Sequence, residues 1–223
     1  PEAVPGGSSS GAAASVGFGL AAAAVGSDTG GSVRIPAAWN DLVGLKTTHG
    51  RVSLEGVVPL CRTFDTVGPL TRTIEDAALM LAALEGGKPA DLGGATLQGA
   101  RFAVLETMVT EGNADPVAAG YAAALERVRG AGAQITGVSA PLLARAFELS
   151  VMLYTADAYC AWSALVEAAP DKMWPPILDR VAAGKEFATH EFLTAWEELK
   201  AIRTEWHGLI AGYDAVLMPS VPI

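Results

Sequence analysis

The sequence predicts an α/β fold, with a mixed, largely parallel twisted sheet covered by helices. Three observations carry this expectation. The run "RFAVLE" at Arg101–Glu106 reads as a strand, a helix opens at Asp115-Pro116 and runs to about Gly130, and "QITGVSAP" reads as a second strand. Strand, helix and strand in that order make a βαβ unit, whose parallel strands are covered on their faces. The chain has 223 residues and is 51% hydrophobic, which is enough to build a sizeable core. The second half carries helical spacing over Leu142–Ala168, Pro176–Ala183 and Thr189–Ala211.

The elements follow in order. Ahead of the βαβ unit, Thr73–Gly86 reads as a helix. Thr73 can cap it with Asp76 three residues on, Gly86 ends it, and Leu79, Leu81 and Leu84 with the alanines supply its buried face. Lys88–Gly99 is polar and glycine-rich, a surface connection. Asp115 is read as the cap of the next helix, with Pro116 in its first turn. Trp162, Trp174, Trp196 and Trp206 are expected in core or interface packing, since large aromatics are usually buried. "YDAVLMPSVP" at Tyr213–Pro222 reads as a short strand that stops at Pro219. No internal repeat and no domain linker are evident, so residues 1–223 read as one domain, with 87–223 holding the βαβ unit and peripheral helices.

Charge and composition exclude several classes. The formal net charge is −9, against a broad nucleic-acid surface, which needs clustered Lys and Arg. No run of about 18 uninterrupted apolar residues is present, so no membrane partner is expected. The two cysteines, Cys61 and Cys160, make neither a disulfide framework nor a zinc pattern, and a reduced, cytoplasmic setting follows. His49, His190 and His207 lie far apart in sequence without ligand spacing, so no metal and no cofactor are expected.

The informative stretch is Gly6–Ala38. Two clusters of small residues, Gly6–Gly11 and Gly26–Ser32, flank an apolar segment, Ala12–Val25, expected to be a core helix. Three readings compete. Phosphate binding by a glycine-rich loop lacks the GK[ST] ending of a P-loop. A nucleophile elbow is met by Gly7-Ser8-Ser9-Ser10-Gly11 with Ser9 as nucleophile, but it needs a buried strand just before it. "PEAVP" is short and carries two prolines, and this reading leaves the second loop unexplained. The third reading uses both loops. A serine hydroxyl needs a base to take its proton, a second hydroxyl can relay that proton, and neighbouring glycines let backbone N–H groups face an oxyanion.

"GGSSSG", "GSDTGGSVRIPAA", "VGLKTTHGRVS" and "FDTVGPLTRTIEDAALML" resemble, in order and spacing, the core of the amidase signature family. The match is specific over about residues 5–86 and continues weakly through Tyr213–Pro222. The resemblance implies the amidase signature fold and a Ser–Ser–Lys apparatus acting on a small-molecule amide. Ser32 would be the acylated nucleophile and Ser8 the proton relay, preceded by a cis peptide. Thr29, Gly30, Gly31 and Ser32 would offer N–H groups to the oxyanion. Asp28 and Arg34 would pair and hold the loop, with Ser9 and Ser10 as supporting hydrogen bonders. Lys46 falls in the "GLK" segment, which the resemblance marks as structural.

The sequence departs from the family pattern in two places. Thr47 stands where Pro is common, and "WNDLVG" replaces a more usual aromatic-Cys-Gly stretch. The family's catalytic Lys lies upstream of the first serine loop. The chain opens on Pro1-Glu2-Ala3 without Met, so it reads as the middle half of a family member, incomplete at both ends. Expressed alone, it is expected to be insoluble or inactive. The function expected is cleavage of a linear carboxylic amide. The alternative is the amidase component of a glutamyl- or aspartyl-tRNA amidotransferase, which the acidity and the segments "RIPAA" and "RTFDTVGP" favour less. A binding protein that keeps the loop without catalysis is the third reading, and homodimer assembly is left open.

Overall fold

The computed structural model describes residues 4–223, so Pro1-Glu2-Ala3 lie outside the described residues. The fold is α/β, and the chain divides into two compact units, Pro1–Gly93 and Gly94–Ile223.

The first unit runs α1 (Ser10–Gly17), β1 (Ala24–Asp28), α2 (Arg34–Trp39), β2 (Val43–Gly44), β3 (Thr66–Thr71) and α3 (Ile74–Glu85). Its three-stranded sheet has the order β1-β3-β2, and both pairings are antiparallel. The expected core helix over Ala12–Val25 is therefore corrected. The helix stops at Gly17, Gly19 turns the chain at a φ of 72°, and the N–H groups of Leu20 and Ala21 both close onto the Ser15 carbonyl. A glycine in the left-handed region ends a helix without steric cost. The remaining apolar residues lead into β1, which pairs along its whole length with Thr66–Leu70.

Every residue of the central strand β3 is buried. It contains Gly68 and Pro69, a pair that reads in sequence as a turn. Pro69 lacks an N–H, but its carbonyl accepts the Leu45 N–H at 3.0 Å. Gly68 is needed because the Leu45 carbonyl oxygen lies 1.9 Å from where a Cβ would stand. Ala13, Val33, Ala37 and Leu70 form the core of this unit, with Ala12 and Leu42 packed against it.

α3 begins and ends as its sequence predicts. Thr73 accepts the Asp76 N–H at 3.0 Å, and Gly86 caps the C-terminus with φ 68°. Its buried face is made by Ala77 and Ala82, however, and Leu79 is exposed. Alanines permit close approach to the sheet, which leaves the larger leucines at the margin or outside.

The second unit runs β4 (Arg101–Leu105), α4 (Asp115–Gly130), β5 (Gln134–Val138), α5 (Leu142–Ala168), α6 (Pro175–Ala182), α7 (Thr189–Ile210) and β6 (Ala215–Leu217). Its sheet has the order β5-β4-β6 and is parallel throughout, with β4–α4–β5 forming the expected βαβ unit. Ala114 takes the N-cap of α4, so Asp115 is the first helical residue rather than the cap; its charge still lies in the first turn, where the helix dipole favours it. α5 packs against α6 and α7, and Ala158, Val166 and Val181 form a core joined by Tyr159, Trp162 and Met173. Trp196 and Trp206 are half-buried, whereas Trp174 is exposed and departs from the expected packing. By length and composition alone α5 is apolar enough to cross a membrane. The same helix carries an Arg145–Glu148 ion pair and a buried Asp157.

Two glycines should respond oppositely to the same change. Gly68→Ala places a methyl group onto the Leu45 carbonyl and should destabilise the protein by about 3 kcal/mol. Gly120→Ala, inside α4 with nothing within 4 Å of the new carbon, should stabilise it by about 0.5 kcal/mol. Denaturant melts of the two variants check both signs.

Candidate active site

The site is built on a strand–loop–helix junction. β1 ends at Asp28, residues 29–33 form the loop, and α2 begins at Arg34. Asp28 is fully buried, and its carboxylate holds the loop from within. Oδ1 accepts the Gly31 N–H at 2.8 Å, and Oδ2 accepts the N–H groups of Val33 at 3.1 Å and Arg34 at 3.3 Å. The Arg34 guanidinium completes the cradle, with Nε 3.0 Å from Oδ2 and Nη2 2.9 Å from Oδ1. A buried charge is tolerated only when paired and hydrogen-bonded, as it is here. Burial is the largest single influence on this carboxyl and pushes its pKa up. The Arg34 guanidinium and the N–H groups of Gly31 and Val33 together outweigh it and hold the pKa below the ordinary carboxylate value.

The first serine loop meets this one through backbone atoms. The Ser9 N–H donates to the Ser32 carbonyl at 3.1 Å. Gly6, at φ 78°, packs against Pro36 at the first turn of α2, where a Cβ would come within 2.8 Å of Pro36 Cα. Asn40 Nδ2 donates to the carbonyls of Pro5 and Pro36 at 2.8 and 2.7 Å. The Gly7–Ser8 peptide is cis, at the position the sequence pattern indicates. Ser8 is exposed, Ser32 is half-buried, and both stand in the region where the two loops join.

The other serines of the first loop make local hydrogen bonds. Ser9 Oγ donates to the Ser27 carbonyl at 3.2 Å, and Ser10 Oγ to the Gly6 carbonyl at 2.6 Å. No strand precedes Ser9 among the described residues, whereas β1 leads directly into the loop that carries Ser32. Gly26 of β1 leaves room for Ser9, whose Oγ would lie 2.6 Å from an added Cβ.

Among the loop residues read as oxyanion donors, the Gly31 N–H is directed onto Asp28 Oδ1, and Gly31 adopts a φ of 121°. Thr29 is half-buried and Gly30 exposed. Lys46 Nζ donates to the Thr47 carbonyl at 2.6 Å. Thr47, where proline is common, is buried and donates from Oγ1 to the Val67 carbonyl of β3 at 2.8 Å.

Sequence reasoning misses two residues that hold the loop from outside. The Thr29 hydroxyl donates to Asp65 Oδ1, and Thr66 Oγ1 donates to the Asp28 carbonyl at 2.8 Å. Both Asp65 and Thr66 lie in the "FDTVGP" stretch, which is legible as a motif but not as a brace. Among the described residues no cluster of three or more His, Cys, Asp or Glu could hold a metal ion.

The Asp28 cradle has a signed consequence with pH. A carboxyl whose folded pKa lies below its unfolded value contributes its full stability above the unfolded value, near 3.9. That contribution is lost as pH falls through the folded pKa. Asp28→Asn should therefore cost about 2 kcal/mol near neutral pH, the weight of hydrogen bonds to a charged group. The gap between variant and parent should narrow as pH drops below about 4. Paired denaturant titrations across that range in the full-length protein measure it.

Comparison with known proteins agrees with this architecture. The family model described as Amidase matches residues 1–223. A 2-amino-5-chloromuconic acid deaminase of Comamonas testosteroni is 37% identical over 225 residues, covering 98% of this chain and 48% of that protein. The A component of the glutamyl-tRNA(Gln) amidotransferase of Staphylococcus saprophyticus is 43% identical over 152 residues, covering 62% of this chain and 31% of that one. Among solved structures, one described as an amidase superposes with a TM-score of 0.91 at 33% identity, over 98% of this chain and 50% of that chain. The corresponding glutamyl-tRNA(Gln) amidotransferase component of Thermotoga maritima gives 0.75 at 29% identity, over 98% and 51%. The chain thus spans between about a third and a half of the length of these curated relatives. Motif, fold and family model agree, and the chain belongs to the amidase family.

Proposed function

We propose that this chain carries the nucleophile and the proton relay of an amidohydrolase that cleaves a linear carboxylic amide at its C–N bond. The observation that supports this most directly is the backbone hydrogen bond from Ser9 to Ser32, which joins the loop that carries Ser8 to the loop that carries Ser32. Ser32 Oγ attacks the amide carbonyl carbon and forms the acyl C–O bond, and its proton passes to Ser8 Oγ. Ser8 passes its own proton to a lysine amine, which the family resemblance places upstream of the first serine loop. The carbonyl oxygen becomes an oxyanion facing the N–H groups of Thr29, Gly30 and Ser32, while Gly31 keeps the Asp28 cradle closed. Collapse breaks the C–N bond, Ser8 returns a proton to the departing amine, and water then hydrolyses the ester on Ser32.

A second reading follows from the relatives named as amidotransferase components. In it the same serines release ammonia from an amide donor inside a larger complex. The native mass of the full-length protein, with amide turnover measured in the absence of partners, separates the two. A free amidase turns over alone, and an amidotransferase component requires its complex.

A fluorophosphonate label followed by peptide mapping of the full-length protein tests the nucleophile. The adduct is expected on Ser32, Ser32→Ala should abolish turnover, and Ser9→Ala should only weaken it. An adduct on Ser9 would overturn the assignment.

A further inference from the structure

The loop that carries Ser32 is held at two places, and only one lies within the loop itself. Asp28 grips the C-terminal half through Gly31, Val33 and Arg34. The N-terminal half, Thr29, is gripped from a segment 36 residues away, where its hydroxyl donates to Asp65 Oδ1. Asp65 is itself buried and fixed. Its Oδ2 accepts the N–H groups of Leu60 at 2.8 Å and Cys61 at 3.0 Å, and its own N–H donates to the Cys61 carbonyl at 2.8 Å. The next residue, Thr66, reaches the Asp28 carbonyl from β3. The Asp65 carboxylate therefore ties the turn at residues 60–65 to Thr29 with one oxygen on each side. A hydroxyl that donates to a fixed carboxylate is held in one rotamer, and the peptide that carries it is held with it.

We infer that Asp65 is a positioning residue for the acyl-transfer step, an inference that rests on the Ser32 reading. It acts through Thr29, aiming the N–H groups of Thr29 and Gly30 at the place where the oxyanion develops. Oxyanion donors act chiefly in the transition state, so a misaimed loop slows acylation without weakening ground-state binding. Gly31 and Val33, on either side of Ser32, stay in the grip of the Asp28 cradle, which this contact does not touch.

The test uses the full-length protein and three variants: Asp65→Asn, Thr29→Val and the double variant. Thr29→Val removes the hydroxyl while leaving Asp65 its bonds to Leu60 and Cys61, so it reports on the contact even where Asp65→Asn fails to fold. Each single change is expected to lower kcat, and the rate of fluorophosphonate labelling, by about tenfold to a hundredfold, the weight of one charge-assisted hydrogen bond. KM should stay within about twofold, and the double variant should be no slower than the slower single one, since both remove the same contact. Unchanged labelling and kcat in a folded Thr29→Val protein would overturn the inference. Losses that multiply in the double variant, or a rise in KM that accounts for the whole effect, would do the same. Peptide mapping of the adduct runs alongside. An adduct away from Ser32 removes the nucleophile assignment, whereas an adduct on Ser32 with unaltered rates removes only the role of Asp65.

Discussion

A buried carboxylate that must be satisfied organises the loop that carries Ser32. Asp28 ends a strand whose pairing with β3 carries it into the interior, where an unpaired charge would be very costly. The nearest donors are the N–H groups of the chain immediately after it and the guanidinium at the start of the next helix. Meeting the demand bends residues 29–33 into one arrangement, and Gly31 makes the bend possible at a φ that other residues rarely adopt. The sharp passage from β1 to α2 follows, and with it the place of Ser32.

The sheet is what makes this possible. β1 is short and lies at an edge of its sheet, so its position depends on β3, whose residues are all buried. β3 also holds Leu45 through Pro69 and Thr47 through Val67, so the "GLK" segment is laid against the same strand. Asp65 and Thr66 stand at the entry to β3 and reach the Ser32 loop and the end of β1 from there. One strand thus supplies the pairing partner of β1, the anchor of residues 45–47 and two side-chain braces. In a protein interior, where packing is dense, such shared dependence transmits small shifts efficiently.

What the sequence shows of this structure follows the range of the interactions. α3 is readable because Thr73, Asp76 and Gly86 lie within one helix and make bonds over a few residues. The βαβ unit is readable because each strand is bounded by turn residues and the helix between carries its own period. β1 and β3 are not, because what makes them strands is each other, across about forty residues of sequence. The apolar alanines before Val25 suit a helix equally well, and Gly68-Pro69 reads as a break until Leu45 is seen to need the space. The same distinction runs through the site. The serine loops and the Asp28–Arg34 pair are legible as one contiguous pattern, while Asp65 is not, since Thr29 is remote from it in sequence. The Gly31 N–H, read as an oxyanion donor, points instead at Asp28, a choice of acceptor that only three dimensions show.

The two serine loops are joined almost without using side chains that face outward. The Ser9–Ser32 link is peptide to peptide, Asn40 grasps carbonyls, and Gly6 rests on Pro36 by virtue of having no side chain. The junction is thereby held by backbone atoms and by the absence of a side chain, not by the groups that face outward. A substitution that changes only an outward-facing side chain in either loop leaves the Ser9–Ser32 and Asn40 hydrogen bonds in place. The register of the two serine loops is in this sense written in the main chain, and it tolerates exchange of the side chains around it.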